Sequence, residues 1–201
     1  MSSVFGCILA GGLARRMSGG DKGLLTIDNR SILDWVVERL RPQCGDIAIN
    51  ANGDPARFAS TGLAVVSDPV AGHVGPLAGI LAGMMAAHDR GYDFVATVAT
   101  DTPFFPRDLV ARLAAAAEGN DIACAASGGR QHPVIGLWPT RLADDLRHAI
   151  DAEKLRKVQE WLSHYRLGVA SWPNHPFDPF FNVNRPDDLI EARRIAQDHA
   201  P

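Results

Sequence analysis

The sequence predicts an α/β fold, a mostly parallel sheet covered by helices on both faces, and three observations carry that prediction. Short apolar runs alternate with stretches of helical periodicity through the first two thirds of the chain. The first apolar run, Val4 to Leu9, feeds directly into a loop of glycine pairs and cations: Gly11-Gly12, Arg15-Arg16, Gly19-Gly20 and Lys22-Gly23. Such a loop lets the backbone approach a ligand closely and brings N–H groups and positive charge to a strand end, where an α/β protein holds polyphosphate. The later apolar runs end in carboxylates and amides, where open sheets collect ligands.

Taken in order, Val4–Leu9 reads as a buried strand. Ser31, with Asp34 three residues on, has the form of a capping box, and Ile32, Leu33, Val36, Val37 and Leu40 give the helix that follows an apolar face. Ile47–Asn50 and Leu63–Val66 are short strands. Gly75-Pro76 opens a helix with proline in its first turn, and Leu77, Ile80, Leu81, Met84 and Met85 recur at helical spacing as core residues. Tyr92–Thr100 is a strand, Pro106–Glu118 a helix and Asp121–Ala126 a strand. Beyond residue 127 the pattern is less regular. His132–Trp138 reads as a strand placed antiparallel at the sheet edge, Thr140–Ile150 and Glu153–His164 as helices, and Leu167–Trp172 as a strand. Trp172 to Asn184 reads as an ordered loop and Pro186–His199 as a closing helix.

The 201 residues suit one domain, 1–201, and 46% apolar with 21% charged residues is ordinary for a globular protein with a sizeable core. A net charge of −3 argues against nucleic acid or an anionic membrane as partner, so any anion-binding cations must be concentrated locally. Cys7, Cys44 and Cys124 are far apart and form no C-x-x-C pair, so neither a disulfide framework nor a zinc site is expected. The arginines follow the first apolar run rather than precede it, the wrong order for a secretory signal, and a cytoplasmic protein is expected.

The glycine loop matches neither common nucleotide fingerprint. Lys22 follows Asp21 and precedes Gly23, so the Gly-Lys-Ser/Thr of a Walker loop is absent, and the paired glycines do not space as G-x-G-x-x-G. The polar strand ends supply the other half of a site: Asn50-Ala51-Asn52, Ser67-Asp68 and Asp101-Thr102-Pro103. A nucleoside triphosphate would be balanced by Arg15, Arg16 and Lys22. An aspartate beside it needs an intervening cation, for which magnesium, with one or two carboxylates plus phosphate oxygens and water, is suited. Asp101 is the candidate metal ligand and Asp68 a candidate nucleotide contact. No G-x-S-x-G elbow or zinc-helix histidine pair occurs, and His132 beside Pro133 is the most site-like of the seven histidines.

These residues together resemble the signature of the molybdenum cofactor guanylyltransferases. The resemblance runs through Leu9-Ala10-Gly11-Gly12, Arg15-Arg16-Met17 and Asp21-Lys22-Gly23. It continues through Asn50-Ala51-Asn52, Asp68, Gly75-Pro76-Leu77-Ala78-Gly79, Asp101-Thr102-Pro103, His132-Pro133 and Phe181-Asn182-Val183-Asn184, and so covers nearly the whole chain. Ser18 departs from the glycine usual after Arg-Met in that family. The resemblance implies a Rossmann-like fold of the nucleotide-diphospho-sugar-transferase type, with a nucleotide-binding half at about 1–126 and a pterin-substrate half at about 127–201. It implies transfer of GMP from GTP to the terminal phosphate of molybdopterin, with pyrophosphate released and Mg2+ required. Leu9, Ala10, Gly11, Gly12, Lys22, Asn50, Asp68 and Asp101 are then expected to meet the nucleotide, with Asp101 on the metal. Lys22, Arg16 and Asp101 serve catalysis, and His132, Asn182 and Asn184 lie on the substrate side. Proteins that deliver molybdopterin or mature molybdoenzymes are implied as partners. The alternatives are a cytidylyl- or sugar-phosphate nucleotidyltransferase, or a non-catalytic GTP-binding module that delivers cofactor. Gly12 and Asp21-Lys22-Gly23 favour the guanylyl branch by resemblance, since the cytidylyl branch more often reads Leu-Ala-Ala-Gly with Asn before Lys.

Overall fold

A computed structural model describes residues 4–11, 25–70 and 75–199. The first strand, β1 (Val4–Leu9), is followed by a small hairpin of β2 (Thr26–Ile27) and β3 (Arg30–Ser31), turned at Asp28 and Asn29 with positive φ. The capping box forms as the sequence requires: the Asp34 N–H donates to Ser31 Oγ, and the Ser31 N–H donates to the Asp34 carboxylate, opening α1 (Ile32–Leu40). Next come β4 (Asp46–Asn50), β5 (Ala64–Val66), α2 (Pro76–His88), β6 (Phe94–Ala99), α3 (Leu109–Ala117), β7 (Ile122–Ser127) and β8 (Arg130–Pro139). The chain closes with α4 (Ala143–Asp151), α5 (Val158–Leu162), β9 (Leu167–Trp172) and α6 (Pro186–His199).

Among the described residues seven strands form one sheet in the order β5-β4-β1-β6-β8-β7-β9. Every neighbouring pair is parallel except those of β8, which runs antiparallel to both β6 and β7. The expected edge position of this strand is therefore corrected. The Gly128-Gly129 turn, with φ of +53° and +80°, folds β8 back beside β7, and β8 then fills the interior slot next to β6. Pro133 is tolerated in an interior strand because the register breaks there. Cys124 pairs with Gly136 and Ala125 with His132, which leaves 133–135 as a bulge needing no ladder donor from proline.

Two further expectations are trimmed. The helix expected over Glu153–His164 forms only at Val158–Leu162, because Lys154 takes a φ of 60° and interrupts it. The helix expected from Pro106 begins at Leu109.

Both sheet faces are covered, as near-continuous apolar strands require. Phe5, Cys7 and Leu9 pack with α2, α4 and α5, while Ile8, Ile47 and Ile49 pack with α1 and α3. The α2 helix is apolar all round, from Leu77 through Ala87, and correspondingly buried. It sits unusually close to the sheet: a methyl group on Gly83 would lie 2.9 Å from Cys7 Cβ. A third cluster of Ile27, Ile32, Trp35, Phe104, Val183 and α6 residues ties the closing helix to the small hairpin. No helix among the described residues is long and apolar enough to cross a membrane.

Candidate active site

The ends of β1, β4, β5 and β6 meet in a cavity of about 800 Å³, a volume within the range of small-molecule sites. Its lining contains Leu9, Ala10, Gly11, Asn50, Asp68, Asp101, His132 and Asn182, all of them candidates from the sequence. Asn184 lies instead in an adjoining cavity of about 540 Å³, which shares Arg130, His132 and Asn182 with the first. Gly12, Arg16 and Lys22 lie outside the described residues.

The strand ends are locked in place by backbone bonds. The Ala10 N–H donates to Asn50 O at 2.8 Å, and the Thr100 N–H to Leu9 O at 3.2 Å, so three adjacent strands end at one level. Asn50 is buried, and its Nδ2 donates to Val66 O at 3.2 Å and Asp68 Oδ1 at 2.9 Å. Asn52 Nδ2 donates to Asp68 Oδ2 at 2.7 Å. Asp68 is thus a carboxylate held by two amides, each oxygen keeping lone pairs for a ligand. Arg57 also lines the cavity, from a short 3₁₀ turn that Asp54 caps through the Ala56 N–H, and its Nη2 donates to Asn52 O at 2.6 Å.

The N-terminus of α2 forms another wall through Gly75, Pro76 and Gly79. Gly75 has a φ of +78°, a conformation that suits glycine. A Cβ on Gly79 would lie 2.5 Å from Asn50 Oδ1 and 3.0 Å from Leu9 Cδ2, so the absent side chain is what lets the helix reach the strand ends.

Asp101 follows β6, half-buried at the cavity wall, and its carbonyl accepts from the Val183 N–H at 2.8 Å. Thr102 is buried, and its Oγ1 donates to Asn182 Oδ1 at 3.1 Å. The long loop before α6 is thereby stitched to the end of β6. Among the described residues no group of three or more His, Cys, Asp or Glu converges on a metal position. A cation at Asp101 would complete its shell with water and substrate oxygens, the donor set that magnesium prefers. The site fits such an ion on that condition.

On the far side, His132 stands at the start of β8. Its Nε2 lies 2.8 Å from Ser127 Oγ, its ring packs on Phe180 at 4.7 Å, and Ser127 in turn donates to Asp178 Oδ1 at 2.7 Å. Burial holds the His132 pKa below the ordinary imidazole value; Asp178 opposes that effect and Arg130 adds to it. Sequence reading missed Arg57, Ser127, Arg130 and Asp178. The Asp54-Pro55 turn pointed toward the first and the Gly128-Gly129 hairpin toward Ser127 and Arg130, whereas no local pattern places Asp178 beside β7.

The family described as "MobA-like NTP transferase domain" matches residues 6–167. The chain is 56% identical over 199 residues to a "Molybdenum cofactor guanylyltransferase" of Bradyrhizobium sp. (strain ORS 278), covering 97% of this chain and 94% of that one. Its fold is shared with a molybdopterin-guanine dinucleotide biosynthesis protein A from Archaeoglobus fulgidus, with a TM-score of 0.71, 24% identity and coverage of 96% and 99%. It is also shared with a 2-C-methyl-D-erythritol 4-phosphate cytidylyltransferase from Thermus thermophilus, with a TM-score of 0.68, 20% identity and coverage of 98% and 100%. A nucleotidyltransferase fold, a cavity at its strand ends and this extent of identity place the chain in the MobA-like NTP transferase family, as a member of its molybdenum cofactor guanylyltransferase branch.

Proposed function

We propose that the protein transfers GMP from GTP to the terminal phosphate of molybdopterin, forming molybdopterin guanine dinucleotide and releasing pyrophosphate. The observation that carries this reading is the shared chamber. Residues at the ends of parallel strands (Leu9 to Gly11, Asn50, Asp68, Asp101) and residues of the second part of the chain (His132, Asn182) line one cavity, so donor and acceptor meet without leaving it.

In this mechanism an oxygen of the molybdopterin phosphate attacks the α-phosphorus of GTP. The new P–O bond forms as the bond to the β-phosphate oxygen breaks, and pyrophosphate leaves with that electron pair. The attacking phosphate is already ionised, so no side chain need remove a proton. What the chain supplies is positioning and charge. By the resemblance of their motif, the Leu9–Gly12 stretch is assigned to main-chain contact with the nucleotide, and Lys22 and Arg16 to balancing its phosphates. Asn50 and Asp68 hold the nucleoside, the two amides fixing the direction of the Asp68 carboxylate. Nucleotidyltransferases of this kind generally need a divalent metal. Mg2+ held by Asp101 would neutralise charge developing on the phosphates.

Residues 1–126 then serve the nucleotide and 127–201 the pterin substrate, through His132, Asn182 and Asn184. We place the reaction in the cytoplasm, a reading supported by three cysteines that remain free thiols. Proteins that bring molybdopterin and receive the dinucleotide complete the proposal.

The test supplies GTP, CTP and ATP together with molybdenum-loaded molybdopterin and magnesium, and quantifies the dinucleotides. Predominant guanine product with equimolar pyrophosphate is expected. Predominant cytosine product would move the protein to the cytidylyl reading, and GTP binding without any dinucleotide would favour a delivery module.

A further inference from the structure

Asp178, Ser127 and His132 form a hydrogen-bonded series running from the closing loop, through the end of β7, to the start of β8. Its order differs from that of a hydrolytic triad, in which histidine lies between the carboxylate and the serine. Here the serine is in the middle and buried, its hydroxyl committed to the carboxylate, so it is no nucleophile.

That order dictates where the hydrogens are. The Asp178 carboxylate has none to give, and Oδ1 already accepts from the Phe180 N–H at 2.9 Å. The Ser127 hydrogen therefore points at Asp178, and Ser127 Oγ offers only lone pairs to His132. Nε2 must carry a hydrogen to use them, which leaves Nδ1 as the acceptor of the neutral ring. Nδ1 has no hydrogen-bond partner among the described residues, while His132 lines both cavities. The ring cannot turn freely, because it packs at a tilt of 40° against Phe180, which is itself held edge-on by Trp172 at 5.4 Å.

We propose that Asp178 and Ser127 are positioning residues that fix the His132 ring with Nε2 protonated, so that Nδ1 accepts a hydrogen bond from an N–H donor of the second substrate. The inference rests on the transferase reading for the identity of that substrate. A lone-pair acceptor repels phosphate and thiolate groups and favours the amino and ring N–H groups of a pterin. His132 is therefore assigned to the heterocycle of the acceptor and not to its phosphate.

The experiment combines nitrogen-15 NMR of histidine-labelled protein with steady-state kinetics. His132→Gln identifies the His132 signals among those of seven histidines. The expected spectrum shows a pyrrole-type Nε2 and a pyridine-type Nδ1. Ser127→Ala and Asp178→Ala are expected to mix the tautomers and raise KM for molybdopterin roughly tenfold, the scale of one hydrogen bond, with KM for GTP unchanged. Asp178→Asn keeps an oxygen for Ser127 and Phe180 and is expected to restore most of that loss, which keeps the test decisive if an alanine variant misfolds. A wild-type Nδ1–H tautomer, or mixed tautomers with unaltered molybdopterin KM, overturns the proposal. The expected tautomer in a protein that makes no dinucleotide would support the positioning series and overturn the transferase reading instead.

Discussion

Asn52 and Asp68 hold each other twice: Asn52 Nδ2 donates to Asp68 Oδ2 at 2.7 Å, and Asn52 Oδ1 accepts from the Asp68 backbone N–H at 2.9 Å. The pair bridges the segments that follow β4 and β5, so the direction of the carboxylate is fixed before any ligand arrives. Asn52→Ala removes both bonds and leaves Asp68 with the single clamp from Asn50. KM for GTP is expected to rise roughly tenfold with kcat little changed, the scale of one or two lost hydrogen bonds. An unaltered KM would remove the clamp from nucleotide binding.

Gly79→Ala tests the close approach of α2. The new methyl would sit 2.5 Å from Asn50 Oδ1, so either the helix or the asparagine must move. A loss of about 1–3 kcal/mol in stability is expected from such overpacking, together with weaker GTP binding as Asn50 releases Asp68. Thermal unfolding and calorimetric GTP titration read the two effects separately. A variant equally stable and equally tight would show that the contact relaxes freely.

Asp101→Asn removes the charge but keeps the bonds to the fold: the bond from the Val183 N–H goes to the backbone carbonyl, and an amide oxygen can still accept from Thr102 Oγ1 at 3.4 Å. Activity is expected to fall by roughly 10²-fold or more, the scale of removing a charge that stabilises the transition state, with the circular dichroism spectrum preserved. Chelation of divalent metal should abolish wild-type turnover and do little further to the variant. Metal dependence identical to wild type would exclude Asp101 as the ligand.

Lys22→Ala is expected to lower turnover by roughly 10²–10³-fold, the worth of one preorganised donor at the reacting phosphate. The measurement is dinucleotide formation at saturating substrates. Turnover within about tenfold of wild type would take Lys22 out of the mechanism.

The cysteines give a prediction independent of catalysis. Burial pushes the Cys7 and Cys44 thiols up to about 12 and Cys124 to about 11. A raised pKa keeps each sulfur protonated and unreactive through neutral and mildly alkaline pH. Native protein at about pH 8 should resist alkylation, and guanidinium-unfolded protein should take up label at all three sites. Fast labelling of the native protein would contradict the buried placement of Cys7 and Cys124 and the half-buried placement of Cys44.

Local chemistry was legible wherever neighbouring residues decide the outcome. Ser31 and Asp34 announce a helix start because each satisfies the other's orphaned N–H, and that box forms as written. Gly75-Pro76 and the apolar run behind it are equally plain. The polar residues at the ends of β1, β4, β5 and β6 were readable as a site, because the alternation of strand and helix puts all those ends on one rim. The place of β8 was not readable. His132–Trp138 has the pattern of a strand, but whether a hairpin stays at an edge or fills an interior slot depends on β6, more than thirty residues earlier. Greater distance hid Asp178, 51 residues beyond Ser127, which it reaches only because the closing loop crosses back over β7. Helical propensity misled at 153–157, where the left-handed turn at Lys154 separates α4 from α5.

Because β8, among the strands of the seven-stranded sheet, runs against its neighbours, the rim of the cavity is written by the chain in two directions. The side proposed for the nucleotide is spelled by strands as they end, whereas His132 and Arg130 arrive as a strand begins. The side proposed for the acceptor therefore hangs on one hairpin and one closing loop, covalently remote from the strand ends proposed for the nucleotide. On the proposed function, exchanging those two segments between relatives is expected to change the acceptor and leave GTP binding as it was. On that reading the parallel strands would act as a socket and the hairpin and closing loop as its adaptor.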